Sequence, residues 1–219
     1  MEGILYYHEV FASIQGESTE MGLPCVFVRL YGCNVKCSYC DQPQDRSDRH
    51  KISVANMVSK VMKYGIKNVC ITGGEPLLQW DSVYQLALEL ISYDYTVSIE
   101  TNGCVKIPDD VYFSRFLKFV MDVKCPSSGV SQFNILDNLM RLRVNDEVKF
   151  VISDRKDYDF MKKILRDYPT PAKKLVSPVF IYKETSYSCP IGHDLVQWVL
   201  DDRLAVRLQI QMHKCLGVL

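Results

Sequence analysis

A strand, a tight turn and a helix can be read in residues 68–92, NVCITGGEPLLQWDSVYQLALELIS. Apolar and β-branched residues dominate the first five positions, as expected of a short buried strand. Two glycines and a proline then interrupt the pattern. From residue 80, apolar side chains recur at helical spacing and share one face, namely Val83, Leu86, Ala87, Leu90 and Ile91. The stretch therefore predicts one strand–helix unit of an α/β protein.

The same alternation continues on both sides of this unit. Further strands are predicted at 25–31, 95–100, 117–123, 147–153, 174–181 and 205–211, and further helices at 53–64, 131–142, 155–167 and 190–200, with a short helix opening at Pro108. About six such units favour a mostly parallel sheet covered by helices. We expect one α/β domain, an incomplete (β/α)6-type partial TIM barrel, because six units are too few for the full barrel. An open doubly wound sheet is the alternative.

Composition excludes several classes of protein. Of 219 residues, 47% are hydrophobic and 24% are charged, which is ordinary globular usage and excludes a disordered chain. The 26 basic and 26 acidic residues cancel, so no overall positive charge exists to attract nucleic acid or anionic lipid. No membrane helix is expected, because no apolar run approaches the roughly 20 residues that one needs. No signal peptide is expected, because no Lys or Arg precedes an apolar stretch at the N-terminus. The expected location is the cytoplasm, where thiols stay reduced.

Unusual residues follow four of the predicted strands. Cys33 follows the first, Gly73–Pro76 the second, Thr101–Gly103 the third and Lys124–Pro126 the fourth. In both candidate architectures, active sites lie beyond the C-terminal ends of the strands. We therefore expect these four segments to form a single site.

Three of the nine cysteines, Cys33, Cys37 and Cys40, are spaced CxxxCxxC. Each iron of a [4Fe–4S] cluster needs one ligand besides its sulfides, so three cysteines leave one iron open to a substrate or cofactor. A structural zinc site normally has four ligands, and no second CxxC or spaced histidine pair is present. Zinc, and three coincidental core cysteines, are the alternatives.

Together with Gly73–Pro76, the CxxxCxxC spacing resembles the radical S-adenosylmethionine (SAM) superfamily. In that superfamily the open iron is chelated by the amino and carboxylate groups of SAM, and reduction of the cluster yields a 5′-deoxyadenosyl radical. Tyr39, the aromatic residue before the last cysteine, fits the same pattern. The resemblance implies that the glycine turn receives the SAM amino group and that Glu75 offers an anion there.

The segments around this core resemble the 7-carboxy-7-deazaguanine synthases of queuosine and deazapurine biosynthesis. The similar segments are FASIQGES at 11–18, FVRLYGCN at 27–34, ITGGEPLLQ at 71–79, IETNG at 99–103, DVKCPSSG at 122–129 and LQIQMHKCLGVL at 208–219. The resemblance spans nearly the whole chain. It implies a lyase that converts 6-carboxy-5,6,7,8-tetrahydropterin to 7-carboxy-7-deazaguanine and ammonia, with a [4Fe–4S] cluster, SAM that is regenerated, and a Mg²⁺ ion.

The resemblance also implies which residues bind ligands. For the pterin substrate these are Ile14, Gln15, Gly16, Glu17, Arg29, Thr72, His213 and the terminal carboxylate of Leu219. For SAM they are Tyr39, Cys40, Asp41, Gly74, Glu75, Asp122, Val123, Lys124 and Ser177. Such residue types suit a carboxylated pterin, because amides and carboxylates bind its polar edge and arginine pairs with its carboxylate. No catalytic residue is expected beyond the cluster and SAM.

Position 42 departs from the family. The family usually has a threonine after the Cys–Asp pair, and its hydroxyl ligates Mg²⁺, whereas here the sequence is Cys40-Asp41-Gln42. Gln42 has a carbonyl oxygen, a donor that Mg²⁺ accepts, but on a longer arm. Coordination by Gln42, binding of the ion through substrate and water, and a weaker dependence on Mg²⁺ all stay open.

The resemblance implies one radical SAM domain over residues 1–219, with an N-terminal substrate-binding segment 8–31, a cluster loop 32–50 and a C-terminal substrate-binding tail 205–219. It also implies a homodimer and an electron donor such as flavodoxin or ferredoxin. A glycyl-radical-enzyme activase, an iron–sulfur electron carrier and a zinc-stabilised binding module are the alternatives. The activases lack the SIQGE opening and the histidine–lysine tail, and an electron carrier has no need of the glycine turn.

Overall fold

A computed structural model describes residues 2–40, 49–109, 111, 114–183 and 186–218. The strands are β1 (Ile4–Ile14), β2 (Pro24–Leu30), β3 (His50–Ser53), β4 (Asn68–Gly73), β5 (Thr96–Thr101), β6 (Leu117–Asp122), β7 (Glu147–Ile152), β8 (Lys173–Pro178), β9 (Ile181–Lys183), β10 (Ser186–Ser188) and β11 (Arg207–Leu208). The α-helices are α1 (Val54–Met62), α2 (Trp80–Ser92), α3 (Arg155–Asp167), α4 (Gly192–Asp201) and α5 (Met212–Leu216). None of the described helices is both long and apolar enough to cross a membrane.

Nine strands form one sheet in the order β11-β8-β7-β6-β5-β4-β2-β1-β3. Strands β2, β4 to β8 and β11 pair in parallel, whereas β1 pairs antiparallel with both β2 and β3. Strands β9 and β10 form a separate hairpin. The mostly parallel open sheet confirms the predicted α/β class and is consistent with a partial barrel.

Alternation along the strands separates an apolar face from a polar one. In β7, Val148, Phe150 and Ile152 belong to the main apolar core, whereas Lys149 and Val151 line a cavity on the other face. Successive side chains of a strand point to opposite faces, so this pattern follows directly from the sequence KFVI. The inner face of the sheet is thereby free to carry charged groups.

The helices begin and end close to the predicted positions. The Ser53 hydroxyl accepts a hydrogen bond from Asn56 N and caps α1, as expected from the sequence. Helix α3 spans the predicted residues, with the Asp154 carboxylate capping its first turn. Its buried face consists of Tyr158, Met161 and Ile164 at helical spacing, packed under the sheet.

The helix predicted near residues 131–142 is wrong. The chain instead forms two short 3-10 turns there, Ser131–Phe133 and Leu136–Met140, after a third at Pro126–Ser128. Two asparagines explain the difference, because each bonds backbone groups outside the segment. Asn138 Oδ1 accepts from Ile107 N (2.9 Å), and Asn134 bonds both Lys124 N and Lys124 O. Such side-chain bonds to the backbone compete with regular helical pairing.

The other differences concern the segment between β5 and β6 and the two ends of the sheet. The described residues Pro108 and Asp109 form no helical turn. The last strand, predicted at 205–211, is reduced to Arg207–Leu208 because the chain bends away to begin α5. Strands β1 and β3 are absent from the predicted elements, since their half-exposed residues lack the apolar run of a buried parallel strand.

Candidate active site

One cavity of about 520 Å³ lies beyond the C-terminal ends of strands β2, β4, β5 and β6. Its wall includes Cys33, Gly74, Asn102 and Lys124, one residue from each of the four segments that follow these strands. Cavities of roughly 300–1,000 Å³ are typical of small-molecule and cofactor sites. The four segments therefore form one site, as the sequence predicts.

Most of the predicted site residues meet in this cavity. Those lining it are Ile14, Gln15, Gly16, Glu17, Arg29, Cys33, Cys37, Tyr39, Cys40, Thr72, Gly74, Asp122, Lys124 and His213. The other described candidates, Glu75, Val123 and Ser177, are buried beside the cavity without lining it. Asp41, Gln42 and Leu219 lie outside the described residues, and so does most of the polar segment that follows Gln42.

The loop that carries the cysteines is held at both ends. Asn102 Nδ2 donates to Asn34 Oδ1 (2.8 Å) and lies 3.5 Å from Cys33 Sγ. Near the other end, Ser38 N donates to Ser128 O (2.9 Å). Hydrogen bonds to cluster sulfurs are among the groups that set a cluster's potential, so Asn102 is placed both to fix the loop and to tune the site.

The cysteine arrangement suits a cofactor larger than a single ion. Cys33, Cys37 and Cys40 all face the same cavity. Among the described residues, however, no three His, Cys, Asp or Glu side chains converge closely enough to hold one metal ion. A tetrahedral zinc site needs such convergence, whereas a [4Fe–4S] cluster binds each thiolate on a different iron. The donor set therefore fits the cluster and gives the zinc interpretation no support.

The glycine turn packs directly against the start of the cysteine loop. Gly74 N donates to Leu30 O (3.0 Å) and Glu75 N donates to Gly32 O (2.7 Å). A Cβ atom at Gly74 would lie within 1.7 Å of Gly32 O, so this contact requires glycine. The turn's backbone is thereby exposed in the cavity next to Cys33, where a bound cofactor would meet it.

The Glu75 side chain was expected to offer an anion to the cofactor, but it does not line the cavity. Its side chain is fully buried, and Oε1 accepts from Leu77 N (2.9 Å) and Thr101 Oγ1 (2.8 Å). Oε2 accepts from Asn102 N (2.7 Å). Burial raises the pKa of Glu75, and these hydrogen bonds partly offset that effect. The carboxylate thus ties the turn to the end of β5, and contact of Glu75 with the cofactor stays a prediction.

Glu100 is a functional candidate that the sequence reasoning missed. Its Oε2 accepts from Thr72 Oγ1 (2.8 Å), and its Oε1 lies 3.5 Å from Gln15 Nε2. Gln15 Oε1 in turn accepts from Glu17 N (3.1 Å). Strand alternation places Glu100 on the cavity face at the end of β5, which is the signal that could have identified it. Two polar side chains from distant segments, Gln15 and Thr72, are therefore arranged around the Glu100 carboxylate.

Two carboxylates and two lysines, each buried or half-buried, lie next to one another in the cavity wall. Lys149 Nζ lies 2.6 Å from Glu17 Oε2 and 3.2 Å from Asp122 Oδ1, and Lys124 Nζ lies 2.5 Å from Asp122 Oδ2. Gln211 Nε2 donates to Glu17 Oε1 (2.6 Å). Burial alone raises the pKa of Glu17, but the Lys149 charge and the hydrogen bonds from Gln211 and Lys149 together outweigh it and hold the pKa below its usual range. Burial also raises the pKa of Asp122, but the charges and hydrogen bonds of Lys124 and Lys149 together lower it, so both carboxylates are anionic.

Arg29 is fixed at the cavity wall by two contacts. Its Nε lies 2.8 Å from Glu9 Oε1, and its guanidinium lies over the Phe11 ring, 5.3 Å from the centroid. An ion pair of this kind is a common structural role of arginine. The guanidinium nevertheless borders the cavity, so it is also placed to meet a ligand carboxylate.

The C-terminal segment docks on the N-terminal loop. Met212 N donates to Gly16 O (2.9 Å), and a Cβ atom at Gly16 would lie 2.0 Å from His213 Nδ1. The close contact requires glycine at position 16 and brings His213 to the cavity. Two segments almost 200 residues apart in sequence thus form one wall of the site.

The cysteine loop also depends on a buried carboxylate in α3. Asp157 accepts hydrogen bonds from Ser127 N (3.0 Å), Ser153 N (2.9 Å) and the Ser127 hydroxyl, and Ser38 Oγ donates to Ser127 O (2.7 Å). We expect Asp157→Ala to leave these donors unsatisfied and to lower the free energy of unfolding by about 2–3 kcal/mol. Thermal unfolding followed by circular dichroism should show a midpoint lowered by roughly 5–10 °C.

The matched control for this substitution is Asp159→Ala in the same helix. Asp159 is exposed and pairs with Arg155 at an i,i+4 spacing. Exposed pairs contribute little, so the change should stay below about 0.5 kcal/mol. Equal midpoints for the two variants would contradict the role assigned to Asp157.

The sequence and the fold of this chain are both similar to those of known proteins. Residues 27–114 match the family model of the radical SAM superfamily. The chain is 40% identical over 210 residues to the 7-carboxy-7-deazaguanine synthase of Methanospirillum hungatei, covering 96% of this chain and 84% of that protein. It is 38% identical over 218 residues to the enzyme of the same name from Koribacter versatilis, covering 94% of each. The crystal structure of QueE from Escherichia coli superposes with a TM-score of 0.74 at 21% identity, covering 96% of this chain and 95% of that one, which shows a shared fold.

Proposed function

The chain belongs to the 7-carboxy-7-deazaguanine synthase family of radical SAM enzymes, and from this premise we propose how its residues share the work of the reaction. It is a lyase that converts 6-carboxy-5,6,7,8-tetrahydropterin to 7-carboxy-7-deazaguanine with release of ammonia. When bound, the [4Fe–4S] cluster and SAM supply the radical chemistry. The observation that carries the assignment of roles is that the three cysteines and the polar Gln15–Thr72–Glu100 group face one cavity.

One side of the cavity would hold the cofactors. Cys33, Cys37 and Cys40 provide three thiolates and leave the fourth iron of a cluster without a protein ligand. The backbone around Gly74, exposed next to this loop, would receive the polar end of SAM. Asp122 and Lys124 form a half-buried ion pair that borders the same region. This arrangement orients the cofactor without any residue acting on it chemically.

The other side would hold the pterin. Gln15 supplies both a donor and an acceptor, and Thr72 and Glu100 extend this polar array along the sheet. Arg29, held by Glu9, would pair with the substrate carboxylate. His213 would close the site, since it docks with the C-terminal segment onto the N-terminal loop. Glu17, kept anionic, would accept hydrogen bonds from the pterin ring.

Several finer points belong to the proposal as well. Mg²⁺ would assist the reaction, with Gln42 as its candidate protein ligand. The enzyme would act as a homodimer in the cytoplasm, and a flavodoxin or ferredoxin would deliver the electron. The support for these points is the family resemblance of the sequence.

An anaerobic assay tests the function directly. Reconstituted and reduced protein is mixed with SAM and 6-carboxytetrahydropterin, with and without Mg²⁺, and the products are followed by mass spectrometry. We expect 7-carboxy-7-deazaguanine and ammonia without net consumption of SAM, and a higher rate with Mg²⁺. Deoxyadenosine without the deazaguanine would contradict the substrate assignment and favour an activase, and failure to bind SAM would favour an electron carrier.

A further inference from the structure

Lys149 is a buried cation that the proposed ligand contacts do not use. It lies in the centre of β7, on the face that lines the cavity, and is 8% exposed. A lysine at such a position needs partners, because an unpaired buried charge is strongly unfavourable. Its Nζ lies 2.6 Å from Glu17 Oε2 and 3.2 Å from Asp122 Oδ1.

The two carboxylates belong to different halves of the site. Glu17 lies in the N-terminal segment that would contact the pterin, and Asp122 lies at the end of β6 next to the proposed SAM site. Among the described residues, Glu17 also accepts a hydrogen bond from Gln211, and Asp122 also pairs with Lys124. Lys149 therefore contacts one carboxylate from each half of the site and links the two.

We propose that Lys149 is a positioning residue that sets the pterin-facing Glu17 relative to the SAM-facing Asp122, so that substrate and cofactor are held at a fixed separation. This inference rests on the proposed function. Without the ammonium group, the buried Glu17 carboxylate would face the half-buried Asp122 carboxylate, and Glu17 would rotate or take up a proton. In either case the acceptor presented to the pterin ring would be lost.

Groups other than Lys149 already anchor the N-terminal loop to the sheet. Glu147 accepts from Thr19 N (3.1 Å) and from Thr19 Oγ1 (2.5 Å), and Lys118 Nζ lies 2.7 Å from Glu147 Oε1. Lys118 also pairs with Glu20 at 3.2 Å. Removal of Lys149 should therefore leave the loop attached to the sheet. Removal of Lys149 should instead change the orientation of the Glu17 side chain.

The test measures ligand binding rather than turnover. Reconstituted holoenzyme is kept with its cluster oxidised, so that no reaction occurs, and the Kd values of 6-carboxytetrahydropterin and SAM are measured anaerobically by calorimetry. Lys149→Met should weaken pterin binding by about tenfold or more, the size typical of residues that orient a ligand-binding group. Lys162→Met, which removes the ion pair between α3 and Asp202 and does not touch the cavity lining, is the control and should change the pterin Kd by less than about threefold.

A double-substitution cycle shows whether Lys149 acts through Glu17. Combining Lys149→Met with Glu17→Gln should weaken pterin binding by much less than the product of the two single effects, because both act on one contact. Lys149→Gln, which keeps a hydrogen-bond donor, serves if the methionine variant does not fold, and should show a loss in the same direction. Multiplicative losses, or equal losses in the Lys149 and Lys162 variants, would overturn the inference. Failure of the unsubstituted holoenzyme to bind pterin would instead overturn the proposed function and the inference with it.

Discussion

Replacement of Cys33 by alanine is expected to abolish formation of the deazaguanine, a loss of about a thousandfold or more. Cys33, Cys37 and Cys40 face one cavity, and three thiolates are the fewest that leave a single iron open for SAM. With two thiolates the cluster would lose a second iron ligand and with it much of its stability. Anaerobic absorbance at about 400 nm, iron content and product formation should all fall together.

Cys189→Ala is the matched control for this experiment. Cys189 is a half-buried free thiol just before α4, and it does not border the described part of the cavity. Its replacement should leave iron content and activity unchanged. If the control also lost its iron, the loss in the Cys33 variant would reflect misfolding rather than a missing ligand.

A cluster that survived in the Cys33→Ala variant would contradict the ligand assignment. The structure indicates which thiol could then take over, since Cys104 is buried against Cys33 and Cys37 in a small apolar cluster. Burial raises the pKa of Cys104 to about 11, so it is a protonated core residue as long as the three predicted ligands are present. A Cys33→Ala/Cys104→Ala double variant would show whether it substitutes.

The helices of this chain were predicted well where a capping residue or a regular spacing of apolar residues determines the local structure. Ser53 caps α1 as expected, and the period of apolar residues located α2 and α3 to the residue. The segments after four strands formed one site because the C-terminal ends of parallel strands meet at one edge. The predicted helix at 131–142 failed because asparagine side chains that bond distant backbone groups leave no signature in local periodicity.

Partners across the sheet could not be predicted from the sequence. Glu17 pairs with Lys149, 132 residues away, and accepts from Gln211, 194 residues away. Motif spacing identifies the residues that ligands require, but it carries no information on which buried charge compensates another. For the same reason the sequence could not show that the Glu75 carboxylate turns toward β5 rather than toward the cavity.

Replacement of Gly74 by alanine is expected to weaken SAM binding by about a hundredfold or more. The new Cβ atom would lie 1.7 Å from Gly32 O and 2.4 Å from Gly32 C, distances that real atoms do not adopt. Both contacts are with backbone, which cannot rotate away as a side chain would. Either the turn or the start of the cysteine loop must therefore move, and the exposed backbone next to Cys33 would no longer match the cofactor.

Calorimetric titration of reconstituted Gly74→Ala protein with SAM measures this effect, and thermal unfolding shows whether the fold is retained. Gly192→Ala is the matched control, because a Cβ atom there would meet mainly the Cys189 side chain, at 2.9 Å, at the start of α4. A small shift of that side chain accommodates alanine, so SAM binding should be unchanged. If Gly74→Ala bound SAM as tightly as the control, the glycine would serve only the packing of the turn, and the cofactor would have to lie elsewhere in the cavity.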